Sequence, residues 1–84
     1  MATFLIESYW VGVVQEEAGH AVDELRRADV TPLASFLVPS EETVFVLVEA
    51  SSPAAVFRAA RHARIPADRV SSVVELASES GPLR

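Results

Sequence analysis

The sequence contains no cysteine, which excludes a disulfide, a thiolate metal site and a cysteine nucleophile. Glycine is scarce, and no glycine-rich phosphate loop is present. Histidine occurs only as His20 and His62, with no metal-type histidine pair on a helix and no nucleophile elbow around a serine. Basic residues are also few. Lys and Arg number 7 against 12 Asp and Glu, a net charge of −5, which argues against an electrostatic footprint for nucleic acid or anionic lipid. The opening MATFLIESYW has no basic start and holds Glu7, so it reads as neither a signal peptide nor a membrane span. A cytoplasmic protein is the default expectation.

What is present is apolar. Half of the 84 residues are hydrophobic, enough for one small domain and no more. The core of such a chain supports a stability on the order of 5 kcal/mol, and oligomerisation is a common remedy. The most informative stretch is TVFVLVEASSPAAVFRAA, Thr43 to Ala60. Its first half is β-branched, aromatic or aliphatic in unbroken succession, which suits a pleated strand covered on both faces. Ser51 or Ser52 then offers a hydroxyl to the orphan amides of a helix start, and Pro53 suits the first turn. Val56, Ala59, Ala60 and Ala63 continue at helical spacing.

The other elements follow the same logic. Ala2 to Tyr9 reads as a first strand, and Val14, Ala18, Ala21, Val22 and Leu25 give the stripe of a helix over about 14–28. Gly19 within that helix suggests a close helix contact. Leu33 to Val38 reads as a second strand, joined through Pro39–Glu42 to the third. If those four residues are the whole loop, Val38 lies opposite Thr43, Phe36 opposite Phe45 and Ala34 opposite Leu47. Val70 to Leu76 reads as a fourth strand, and residues 77–84 as a tail that frays. The order βαββαβ predicts an α+β, ferredoxin-like sandwich, an antiparallel four-stranded sheet with both helices on one face, formed by residues 1–76.

The helix side of the sheet is expected to take Phe4, Ile6, Leu33, Leu37, Val44, Val46, Val48, Val70, Val74 and Leu76. The other side takes Leu5, Tyr9, Phe36, Val38, Phe45, Leu47 and Val73, with nothing in the chain to cover it. A patch of that size points to a second copy packed sheet to sheet. Glu7, Glu49 and Glu75 fall on this same face. With the first and third strands taken to run in the same direction, Glu7 and Glu49 lie towards one end and Glu75 towards the other. Two carboxylates at one end of a half-apolar cavity can share a proton, act as acid and base, or grip a cation. Tyr9 and Trp10 would line that pocket, with Phe36 and Phe45 as its apolar floor. The plainer alternative is wet glutamates at the rim of a dimer.

A second cluster is Glu16, His20 and Glu24, four residues apart on the first helix and thus on one face. One imidazole and two carboxylates can hold a divalent metal, although an exposed acidic helix face gives the same pattern. Arg58, Arg61, His62 and Arg64 make the second helix basic, so the two helices complement each other in charge.

FLIESYW, VFVLVEASSPAAV and RIPADRVSSVVEL together resemble a family of small bacterial proteins, the nickel-binding-protein-like domains of unknown function. The resemblance covers about residues 2–76. It implies a ferredoxin-like fold, a homodimer and, for some members, bound nickel, and Glu49 falls on the glutamate of the family's strand-to-cap motif. The metal-type members carry an aspartate and one or two histidines late in the first strand, where this chain has Ile6 to Trp10 and no histidine. It departs again on the first helix, where Val22 stands in place of the family's histidine.

The expectation is a homodimeric binding or accessory protein without a resident cofactor or tight nickel site, with small-molecule space at the open face and no nucleic-acid or membrane partner. The alternatives are a small-molecule isomerase or cyclase of dimeric α+β barrel type using Glu7 or Glu49, and a metal-binding protein.

Overall fold

The computed structural model describes residues 1–76; the tail expected over 77–84 lies outside the described residues. The element order is β1 (Ala2–Tyr9), α1 (Gln15–Glu24) continuing into a 3-10 turn (Leu25–Ala28), β2 (Thr31–Val38), β3 (Thr43–Ala50), α2 (Pro53–Ala63) and β4 (Arg69–Ser72). The strands form one sheet in the order β2-β3-β1-β4, every neighbouring pair antiparallel. This is the ferredoxin-like α+β arrangement. No helix among the described residues is long and apolar enough to cross a membrane.

Local chemistry accounts for most boundaries. The Ser52 hydroxyl accepts a hydrogen bond from the Ala55 amide at 3.1 Å, with Pro53 in the first turn, as the sequence suggested. Arg64 ends α2 in the left-handed region at φ 60°, and its amide and that of Ile65 bond back to Arg61 and Ala60. Val14 sits at the start of α1 without a capping side chain and is 57% exposed, so it drops out of the apolar stripe expected of it. Asp29 and Glu42, both at positive φ, turn the chain into β2 and β3. The β2–β3 register is the one read from the loop length, with Val38 opposite Thr43, Phe36 opposite Phe45 and Ala34 opposite Leu47.

The core lies between the sheet and the helices. Phe4, Ile6, Val44, Val46 and Val48 from the sheet meet Ala18, Ala21, Val22, Leu25, Val56, Ala59 and Ala60 from the helix layer, all buried. The small alanine stripe lets α2 lie close to the strands.

Four expectations need correction. Leu33, expected in the core, is 49% exposed, because a register irregularity between Pro32 and Ala34 pushes it out and Pro32 is buried in its place. The fourth strand ends at Ser72, so Val74 and Leu76 are 83% and 87% exposed. A Cβ at Gly19 would meet nothing within 4 Å among the described residues, so no close helix contact explains that glycine. Finally, β1 and β3 are antiparallel, with Ala2 opposite Ala50 and Tyr9 opposite Thr43. The helical crossover returns the chain to its starting end, so β2 runs with β1. The tight β2–β3 turn then reverses β3, which inserts between them.

Candidate functional site

That reversal decides the geometry of the open face. Glu7 lies opposite Phe45, whereas Glu49 lies opposite Thr3 on one side and Thr31 on the other. The two carboxylates are four positions apart along the strands, about 13 Å at strand rise. They are thus at opposite ends of the face, and within the chain they do not form an acid–base or cation-gripping pair. Glu75 lies beyond the end of β4, is exposed, and belongs with the Glu49 end.

Glu7 has a partner the sequence reading missed. Arg69 stands directly across from it on β4, and its Nη1 lies 3.9 Å from Glu7 Oε2. The signal was present in RIPADRVSS, but it required the antiparallel β1–β4 register, which no local pattern supplies. The same end of the sheet is tied down by its backbone. The Asp68 amide donates to the Glu7 carbonyl at 3.0 Å, and the Tyr9 amide donates to Asp68 Oδ2 at 2.6 Å. Tyr9 stays on the open face at this end, 54% exposed.

Between the two glutamates the face is apolar. Leu5, Val38, Phe45 and Leu47 are half-buried, and Phe36 beside Phe45 is 62% exposed. Of the expected pocket residues, Glu7, Tyr9, Phe36, Phe45 and Glu49 share this face, and Trp10 does not. Trp10 follows the last residue of β1, and its amide donates to the Glu42 carbonyl at 2.7 Å. It packs against the core on the helix side.

Trp10 lines a cleft of about 350 Å³ together with Glu17, His20 and Glu24 of α1 and His62 and Arg64 of the α2 terminus. Glu17 takes the place expected of Glu16, because the α1 face turned towards α2 follows spacing three and then four. His20 and His62, read as separate surface residues, border one cleft. Even so, no group of three or more His, Asp or Glu side chains among the described residues is arranged to hold a metal ion, and Glu16, His20 and Glu24 make no such site. Two further clefts border α1 against β2 and Met1 against Arg26 and Ser51, and none of the three includes Glu7 or Glu49.

No family model matches the chain, and no curated protein matches it. Among solved structures it is similar to SCO4226 from Streptomyces coelicolor A3(2), at a TM-score of 0.73 and 21% identity, over 90% of this chain and 100% of that one. At that identity the likeness speaks for the fold.

Proposed function

We propose that the protein is a small cytoplasmic homodimer whose two sheets pack through their open faces, and that it serves as a binding or accessory protein with ligand space at the ends of that interface. The observation that carries this reading is the row Leu5, Phe45, Leu47 and Val38, bordered by the exposed Phe36, on a face that no element among the described residues covers. Apolar residues in such a row are stabilised by removal from water, at roughly 25 cal/mol per Å2, and a second copy of the same face is a ready cover. The Glu7–Arg69 pair at one end and Glu49 at the other fit the polar rim of such an interface.

This reading keeps the resemblance to the nickel-binding-protein-like family and departs from it in one respect. Nickel prefers imidazole among protein side chains, and both imidazoles stand on the helix layer, away from Glu7 and Glu49. Oxygen ligands alone suit magnesium, calcium or manganese better. We therefore expect no tight nickel binding. Titration calorimetry of metal-free protein with nickel checks this, and a submicromolar constant at one ion per chain, lost in His20→Ala, would overturn it.

The dimer is tested by light scattering at micromolar concentration. Phe45→Glu places a charge at the centre of the face, and loss of the face-to-face contact or precipitation is expected. An unmodified chain that is a soluble monomer at that concentration sinks the proposal. Native mass spectrometry of protein taken from its own cells would show any retained small molecule.

A further inference from the structure

The sheet has two edges, and they are unequal. β4 is four residues long and begins with Arg69. β2 is eight residues long, TPLASFLV, with no charged side chain and its one proline near the start. Half of an edge strand's backbone donors and acceptors point away from its neighbour, and no strand among the described residues pairs with the outer side of β2. The helix layer does not roof this edge. A groove of about 510 Å³ runs between α1 and β2, bordered by Gln15, Gly19, Ser35 and Phe36. A Cβ at Gly19 would still leave it open.

Soluble proteins protect long edges with charge, proline, shortness or a covering element. Among the described residues, β2 has two such devices, both at its start, Pro32 and the irregularity between Pro32 and Ala34, and residues 34–38 beyond them are regular and unprotected. Leu33 and Phe36 are 49% and 62% exposed along this edge.

We propose that the occupant of this edge is β2 of a second copy, paired antiparallel about a two-fold axis so that the four-stranded sheet continues into one of eight strands. Antiparallel pairing of a strand with itself is self-complementary. Here it brings no like charges together, because β2 has none. Pairing centred near Ser35 sets Phe36 of each copy diagonally across the joint on the open face, within reach of one another. Phe36, at the margin of the apolar patch in one copy, then becomes part of its interior. The edge contact does not depend on the face-to-face contact; where both form, two face-to-face homodimers join about a second, perpendicular axis into a tetramer.

The test combines residue-resolved amide exchange with light scattering. In a free edge, alternate amides between residues 34 and 38 exchange rapidly; in the paired edge all of them are slow. This reading needs no variant, so it stands whatever a mutation does to folding. By mass, Phe45→Glu is expected to leave a dimer held by the edge. Ser35→Lys, which sets like charges across the joint, is expected to leave a dimer held by the face, with the alternate amides now fast. The double variant is expected to be a monomer. A monomer from Phe45→Glu alone, or fast alternate amides in the unmodified protein, overturns the edge proposal. Protected edge amides in a one-to-one complex with another peptide also overturn it, in favour of strand addition by a foreign chain. A mass unchanged by Phe45→Glu, with the edge amides protected, overturns the face-to-face reading and leaves the edge contact standing.

Discussion

The two faces of the sheet are built from the same strands and nearly the same residue types, yet they differ sharply in burial. Phe4, Ile6, Val44, Val46 and Val48 point towards the helices and are at most 4% exposed. Leu5, Phe45, Leu47 and Val38, their alternates, are half-buried, and Glu7 and Glu49 share their side. Hydrophobicity alone does not separate these sets. The difference lies in what covers them: two helices with a stripe of small alanines on one side, and on the other nothing within the described residues of the chain.

Truncations on the two faces sharpen that contrast most. Ile6→Ala removes fully buried atoms and leaves a cavity, so we expect a loss of about 4 kcal/mol in chemical denaturation. Leu47→Ala on the open face should cost about 1 kcal/mol when the chain is dilute and monomeric, because part of that side chain is already in water. If the open face pairs, the Leu47→Ala penalty grows with protein concentration, whereas the Ile6→Ala penalty does not. Equal, concentration-independent losses for both would break the comparison.

Ser8 is an exception within the covered face. It is fully buried, and its Oγ has no hydrogen-bond partner among the described residues. A buried hydroxyl without a partner bears a desolvation cost. Ser8→Ala is therefore expected to raise stability by about 1 kcal/mol, and a comparable loss would show that the hydroxyl has a role beyond packing. Gly19→Ala on the open side of α1 should add about 0.5–1 kcal/mol from helix propensity, since the new methyl meets nothing. A destabilised Gly19→Ala variant would mean that something fills the groove beside it. The smallest effect belongs to the Glu7–Arg69 pair, with Arg69 72% exposed at its side chain. Glu7→Gln is expected to change the stability of the dilute chain by less than about 0.5 kcal/mol, and to lose even that in high salt.

Much of the fold was legible because its signals are local. The run Thr43–Val48, the Ser52-Pro53 start of α2 and the four-residue turn at Pro39–Glu42 each announce themselves within a few residues, and the turn length sets the β2–β3 register. The candidate site was less legible. Alternation placed Glu7, Phe36, Phe45 and Glu49 on one face, but strand direction placed the glutamates at opposite ends. Trp10, adjacent in sequence to Tyr9, left that face once β1 ended. The partnership of Glu7 with Arg69 spans residues far apart in the chain, and only the β1–β4 pairing brings them together.

Residue alternation, helical period and turn chemistry thus determined the element order, the ferredoxin-like class and the set of side chains that share each face, because each depends on neighbours within about four positions. The tertiary structure alone decided how those sets are arranged. The β1–β4 register set Arg69 across from Glu7, the irregularity at Pro32–Ala34 expelled Leu33, and the approach of α1 to α2 gathered Trp10, His20 and His62 around one cleft. These outcomes depend on strand pairing and helix packing between residues distant in sequence, whose relative placement no local pattern encodes.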